Sequence, residues 1–274
     1  MMRLLIILSI ALIANQSVHA QYYYNNILRI RQLQTQLKDY KSNGVKQITM
    51  ISFDDRGEKM EDFSSTIQFL QQYKTWRSAT TSWEGTSITQ HQFNEAGQLI
   101  QTMDSSLNTK QITQYFYEGE LLKRMQLKSY SRGQLSLESI QNYEYAGNTP
   151  SRLTVTQKGY DTLFVEFVKD EEGKIVEEKI RKGKVLHQTY YYYYNVQQQL
   201  TDIVRHHARS NQLLPDFVFE YQPNGRLASM LVTTDDKRDY QLWKYAYNEK
   251  GLKISDVCTG KQNRLIGKVE YQYK

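Results

Sequence analysis

The sequence predicts an all-β protein, an antiparallel meander of tandem hairpin repeats that curls into a spiral or incomplete barrel, with one N-terminal helix. Three observations predict it. A strand-to-turn junction recurs along most of the chain, aromatic and polar residues alternate before each junction, and one early segment has a helical period instead.

The first twenty residues form a separate unit. Arg3 supplies a positive start, Leu4 to Ala14 an apolar run, and Val18-His19-Ala20 the small-x-small form that a signal peptidase reads. The apolar run is short for a membrane span, and polar Asn15, Gln16 and Ser17 follow it. Residues 1–20 therefore read as a signal peptide with the mature chain starting at Gln21, and no integral membrane segment remains after cleavage. No cysteine lies near this site to carry a lipid, so a periplasmic or extracellular location is expected. Removing Arg3 takes the formal net charge from +6 to +5. Outside the cytoplasm that mild, dispersed basicity points to solubility or to anionic envelope polymers, and nucleic acid is not an expected partner.

Residues 21–44 read as a helical cap. Ile27, Ile30, Leu33, Leu37 and Tyr40 recur at three- and four-residue spacing, with Asn26 as a candidate start and Gly44 as a candidate stop. The single apolar stripe suits an element that covers the first hairpin.

Residues 45–274 carry the repeat. Phe53-Asp54-Asp55-Arg56-Gly57, Phe93-Asn94-Glu95-Ala96-Gly97, Tyr221-Gln222-Pro223-Asn224-Gly225 and Tyr247-Asn248-Glu249-Lys250-Gly251 share one plan. An aromatic residue ends a strand, polar residues turn the chain, and glycine takes a positive φ. Weaker copies follow Tyr117, Tyr145, Phe167 and Tyr194, and the chain ends on Tyr273. The step between anchors is roughly 20 to 30 residues, as a hairpin requires. The longer step from Phe53 to Phe93 suggests an insertion around Gln68 to Trp83, which leaves about eight hairpins. Residues two before the anchors are mostly large and apolar or aromatic, such as Tyr115, Tyr143, Tyr192, Phe219 and Tyr245, whereas intervening residues such as Gln92, Glu144, Glu166 and Glu220 are polar. One face should be buried and the other wet. Phe219, Tyr221, Tyr245 and Tyr247 are expected to be mostly buried.

The junction resembles the tyrosine-aspartate (YD) repeats of the Rhs family, in which bacterial secreted and cell-surface proteins build β-rich shells from tandem hairpins. The resemblance covers roughly Val45 to Tyr273. It departs from the family pattern in keeping the aspartate only at Asp54, with asparagine at 94, 195 and 248. It implies a β shell, and no region resembles a separate toxin domain.

Chemistry-bearing patterns are sparse. His206-His207 has no metal-ligand spacing around it, so no metal or other cofactor is expected. Asp54-Asp55 and Asp235-Asp236 stand where turns want side-chain acceptors. Cys258 has no partner for a disulfide and reads as a small buried residue. Nothing resembles a nucleophile elbow or a phosphate-cradling loop, and a non-enzymatic role is expected. The run Tyr190 to Tyr194 places rings on both faces of one strand. Tyr191 and Tyr193 then fall on the wet face, where a ring can stack on a sugar, or they pack under the helix or a loop. The expected function is that of an exported binding protein for a glycan or an envelope protein. A structural envelope component and a hydrolase with an unrecognised carboxylate pair are the alternatives.

Overall fold

The computed structural model describes residues 22–207, 212–233 and 239–274; the signal segment and Asp235-Asp236 lie outside them. A helix, α1 (Tyr23–Ser42), precedes eighteen strands. These are β1 (Gln47–Phe53), β2 (Ser64–Leu70), β3 (Thr75–Ser82), β4 (Gly85–Phe93), β5 (Leu99–Ser105), β6 (Thr109–Glu118), β7 (Leu121–Ser131), β8 (Gln134–Ala146) and β9 (Thr149–Gln157). The second half comprises β10 (Leu163–Lys169), β11 (Ile175–Lys182), β12 (Val185–Tyr194), β13 (Leu200–His207), β14 (Gln212–Tyr221), β15 (Leu227–Thr233), β16 (Tyr240–Tyr247), β17 (Lys253–Thr259) and β18 (Leu265–Tyr273).

Each strand pairs antiparallel with its neighbours in sequence, and β1 pairs with β18 in the register Ile48↔Tyr273 to Phe53↔Lys268. The sheet is thus a closed barrel, which corrects the expected spiral or incomplete barrel. Closure has a plain cause. An even number of strands brings the first and last together antiparallel, and pairing them satisfies two edges that would otherwise expose unpaired backbone groups.

Two further expectations change with it. The stretch from Gln68 to Trp83 is no insertion but the ordinary hairpin of β2 and β3, so there are nine hairpins rather than eight. Its turn has no glycine, and Gln71, Gln72 and Tyr73 take the positive φ values of 50, 55 and 67° themselves. Phe69 is the anchor there. The Phe53 junction belongs to the opposite end of the barrel, and Ile51 and Phe53 flank Ser52, which is the residue that is buried.

All the other anchored turns, together with the β1 start and the chain end, gather at one rim, here the anchor rim. Four of its turns share a mechanism. An aspartate or asparagine at the end of the strand accepts the backbone N–H four positions on through its side-chain oxygen, directly after the anchor in Asn94 from Gln98 (2.9 Å), Asn195 from Gln199 (2.9 Å) and Asn248 from Leu252 (3.0 Å), and three residues after Phe167 in Asp170 from Lys174 (2.8 Å). Aspartate and asparagine serve equally because only the oxygen is used. Gly97 and Gly251 take φ of 78 and 76° in two such turns.

A register shift in the pairing with the following strand immediately precedes the anchor, as between Phe116 and Tyr117 or Glu220 and Tyr221. On its other side the anchor tyrosine donates its hydroxyl to a carbonyl at the start of the preceding strand. Tyr117 reaches Leu99 O (2.9 Å), Tyr145 Leu122 O (2.9 Å), Tyr194 Ile175 O (2.9 Å), Tyr221 Leu200 O (2.7 Å) and Tyr247 Leu227 O (3.0 Å). This accounts for tyrosine rather than phenylalanine at most anchors. Tyr221→Phe should cost about 1 kcal/mol, because it leaves one half-buried carbonyl without its donor. A thermal melt shifted by no more than that of an exposed Tyr160→Phe control would refute the bracing role.

The interior is aromatic and the outer wall charged. Ile48, Trp76, Phe93, Leu99, Tyr143, Leu153, Val165, Tyr190, Tyr192, Ile203, Trp243 and Val269 are buried, and Cys258 joins them. Outward positions carry Arg77, Gln90, Glu144, Glu166, Lys244 and Gln272, and ion pairs such as Lys179–Glu177 (2.6 Å) and Lys128–Glu138 (3.5 Å). Barrels that cross lipid need an apolar outer band and keep their polar residues inside. Here the arrangement is the reverse, so the greater part of the wall is made to face water. No helix among the described residues is long and apolar enough to cross a membrane.

Candidate binding surfaces on the wall and in the lumen

At about 4.8 Å between strands and a tilt of about 40°, eighteen strands make a backbone ring about 36 Å across, too wide for side chains alone to fill. Helix α1 supplies the missing volume. Its twenty residues span about 30 Å and lie across the anchor-rim mouth. Near its end Tyr40 packs on Phe69, Trp76 and Tyr273, at 5.1, 5.5 and 6.4 Å between ring centres. At its start Tyr22 meets Tyr190 (4.5 Å) and Phe217 (5.6 Å), and Tyr24 meets Tyr192 (5.2 Å) on the far wall. Arg31, Gln32, Thr35, Lys38 and Asp39 stay exposed, which leaves the helix one wet stripe.

The helix start is capped from outside the helix. Tyr22 precedes it with no side-chain capping bond of its own. Glu178 of β11, 0 % exposed, accepts the backbone N–H groups of Tyr23 and Tyr24 at 2.9 Å each and the Tyr192 hydroxyl at 2.7 Å. One carboxylate thereby satisfies two donors that any helix leaves open and sits at the positive end of its dipole. Burial nevertheless raises its pKa to about 7, and the three hydrogen bonds oppose the rise. Beside it, Tyr22 donates its hydroxyl to Asp216, which also pairs with Arg205 (3.0 Å). Asn26, the sequence's candidate cap, instead donates to Gln141 Oε1 (3.2 Å).

A second polar group lies midway along α1, among β4, β5 and β6. His91 of β4, 5 % exposed, shares a 3.0 Å hydrogen bond between Nδ1 and Thr102 Oγ1, and Tyr115 donates to the same Thr102 oxygen (3.2 Å). Thr102 has one hydrogen to give. Nδ1 either accepts that hydrogen or donates to a Thr102 lone pair, so Nε2, which has no partner, is correspondingly a donor or an acceptor. Burial, with the nearby Arg29 guanidinium second, lowers the His91 pKa to about 4. Arg29 itself forms no hydrogen bond or ion pair, and burial lowers its pKa against the opposing pull of Tyr115 and Asp104. Asp104 accepts from Thr89 (2.6 Å).

From this floor the interior becomes wetter toward the far rim. On β4 His91 is buried, Thr89 half-buried and Ser87 exposed; on β6 the same order runs Thr113, Gln111, Thr109; on β3 Ser78 is buried and Thr80 and Ser82 half-buried. The inward side chains there are small hydroxyls and an amide. They cannot close the ring.

The sequence-predicted Tyr191 and Tyr193 stand on the outer wall of β12, between the inward Tyr190, Tyr192 and Tyr194. Tyr193 is 47 % exposed and Tyr191 half-buried. Glu177 lies opposite Tyr191, and Asp202, which has no hydrogen bond or ion pair, opposite Tyr193. The row from Tyr193 through Asp202 continues across Val218, Leu231 and Leu242, all half-buried. Phe219, Tyr221, Tyr245 and Tyr247 are half-buried, the first packed against the inward Phe217. His206 and His207 are part of β13, with His206 exposed. Among the described residues no three metal-ligating side chains converge, and Asp54 accepts from the Arg56 and Glu58 backbone within its turn.

These features define a closed antiparallel β-barrel with a water-facing wall and a helix seated in one mouth. No family model and no curated protein matches the chain. Among solved structures it is similar to a porin-like protein from Bacteroides uniformis, at 8 % identity and a TM-score of 0.44, over 84 % of this chain and 96 % of that one. It is also similar to chains in two Tc toxin structures, at 12 % identity and a TM-score of 0.31 in each. One is a TcdB2-TccC3-Cdc42 complex, matched over 78 % of this chain and 15 % of that one. The other is a Photorhabdus luminescens Tc holotoxin pore, matched over 79 % and 15 %. Likeness at that level transfers neither identity nor function.

Proposed function

We propose that the chain is an exported, non-enzymatic binding protein of the cell envelope or surface, built on a YD-like hairpin repeat and recognising a glycan or an envelope protein through its outer wall. The observation that carries this reading is the pair Tyr191 and Tyr193. Two tyrosine rings stand two residues apart on the outer wall, which elsewhere carries charged and polar residues with scattered apolar ones such as Phe116 and Phe164, and each ring has a carboxylate on the neighbouring strand, Glu177 and Asp202. Rings stack on the apolar faces of sugars while carboxylates accept sugar hydroxyls, and the same residue types anchor protein interfaces.

A glycan array and a pull-down with the mature chain test it. Tyr191→Ala with Tyr193→Ala should abolish capture with a melting temperature near that of the parent. Tyr245→Ala, on the inward side of β16, should instead lower stability by about 2 kcal/mol. If Tyr245→Ala proved silent while Tyr191→Ala unfolded the protein, the two faces would be misassigned. N-terminal sequencing of the exported protein should begin at Gln21, and a form that retains Met1 would remove the export step from this proposal.

A further inference from the structure

The geometry points to a second binding site inside the barrel, reached from the far rim, in which Arg29, His91 and Asp104 hold the acidic end of a saccharide. It goes beyond the outer-wall reading and uses none of its residues. Arg29 is a guanidinium with five donors held inside the barrel without a hydrogen bond or ion pair. A half-buried guanidinium has lost part of its hydration without gaining a protein acceptor, and an oxyanion that accepts from it restores what was lost.

The second observation is independent of the first. His91 Nε2 is buried without a partner in a ring held at its other nitrogen by Thr102, so a second fixed polar atom, donor or acceptor according to the tautomer, stands near the guanidinium. The guanidinium fork suits a carboxylate, and Nε2 suits a sugar hydroxyl, which can accept or donate. Asp104, bonded only to Thr89, supplies the opposite chemistry, an acceptor with lone pairs to spare for hydroxyls. A ligand that satisfies all three carries a carboxylate and neighbouring hydroxyls on one small frame, as a uronic acid does.

The approach to the site agrees. From Thr113 and Ser78 outward the lining is threonine, serine and glutamine, whose side chains are short and can hydrogen-bond to sugar hydroxyls. A neutral sugar would leave Arg29 unpaired. A bare anion would leave Asp104 unused.

Calorimetric titration of the mature protein with glucuronate and galacturonate disaccharides tests the site, with the matching neutral disaccharides, acetate, phosphate and glycine as controls. Uronate binding is expected, with at least a tenfold loss of affinity in Arg29→Lys, which keeps charge but not the fork, and in Asp104→Asn. Both variants are read alongside their melting temperatures. The neutral disaccharides should not bind. The inference is overturned if no uronate binds, if phosphate, acetate or glycine binds equally well, or if both folded variants bind uronate as the parent does. It is also overturned if Tyr191→Ala with Tyr193→Ala removes uronate binding while Arg29→Lys keeps it, because the ligand would then sit on the outer wall. Failure of capture at the outer wall with uronate binding intact would refute the proposed function alone.

Discussion

Glu178→Ala should destabilise the barrel by about 4 kcal/mol, which in a chain of this size lowers the melting temperature by roughly 10 °C. The substitution strands the Tyr23 and Tyr24 N–H groups and the Tyr192 hydroxyl, all deep in the interior where water cannot replace the carboxylate. Each orphaned group costs about 1 to 3 kcal/mol, and the relief of removing a buried acid recovers only part of that. Glu178→Gln keeps one acceptor oxygen and the packing, so it should cost about 1 kcal/mol. The signature lies in the helix. Amide exchange at residues 23 to 30 should accelerate in Glu178→Ala well before that of the strands, since the cap holds the helix start against the wall. Uniform acceleration throughout the barrel would show that Glu178 supports the wall alone and not the seat of the helix.

The contrast between cap and wall also explains what the sequence made legible. Hairpin repeats are local, so the anchors, their turns and the two faces could be read from neighbours in the chain. The Tyr191 and Tyr193 side of β12 followed from alternation alone. Closure could not be read that way, because the pairing of Ile48 with Tyr273 joins residues at opposite ends of the chain and leaves no local trace. Phe53 misled because an aromatic before a turn looks the same at either rim, and only counting strands distinguishes them. The missing glycine at Gln71 to Lys74 hid the anchor at Phe69.

The lumen was illegible for a further reason. Glu178 is one of three consecutive charged residues, Glu177 to Lys179, in a strand without regular alternation, and a bulge between Ile180 and Arg181 breaks the parity near it. Its partners are 155 and 154 residues away. Arg29 looked like one more charge on a helix. Its one local signal is that Arg29 neighbours the apolar stripe of Ile27, Ile30 and Leu33, where a charged residue needs a reason.

Glu178 and His91, both buried, should together make the pH profile of stability flatter than either alone. Glu178 has a folded-state pKa of about 7 against an ordinary 4.5. Its contribution is fully present below 4.5 and is lost as pH rises through 7. His91 has a folded-state pKa of about 4 against an ordinary 6.5. Its contribution is present above 6.5 and is lost as pH falls through 4. Each window is two to three pH units wide, worth roughly 3 kcal/mol at most, and the two slopes oppose each other between 4.5 and 6.5. Measured as differences from the parent, which removes the background of the other carboxylates, single substitutions should separate them. In Glu178→Gln the histidine acts unopposed, and stability should fall relative to the parent as pH drops from 7 to 4.5. In His91→Gln the glutamate acts unopposed, and stability should rise relative to the parent as pH drops from 6.5 to 4. The two differences should carry opposite signs in denaturant titrations at pH 7 and pH 5. Equal signs, or parallel profiles for all three proteins, would mean that neither group changes its proton affinity on folding and that the helix seat is wetter than its burial implies.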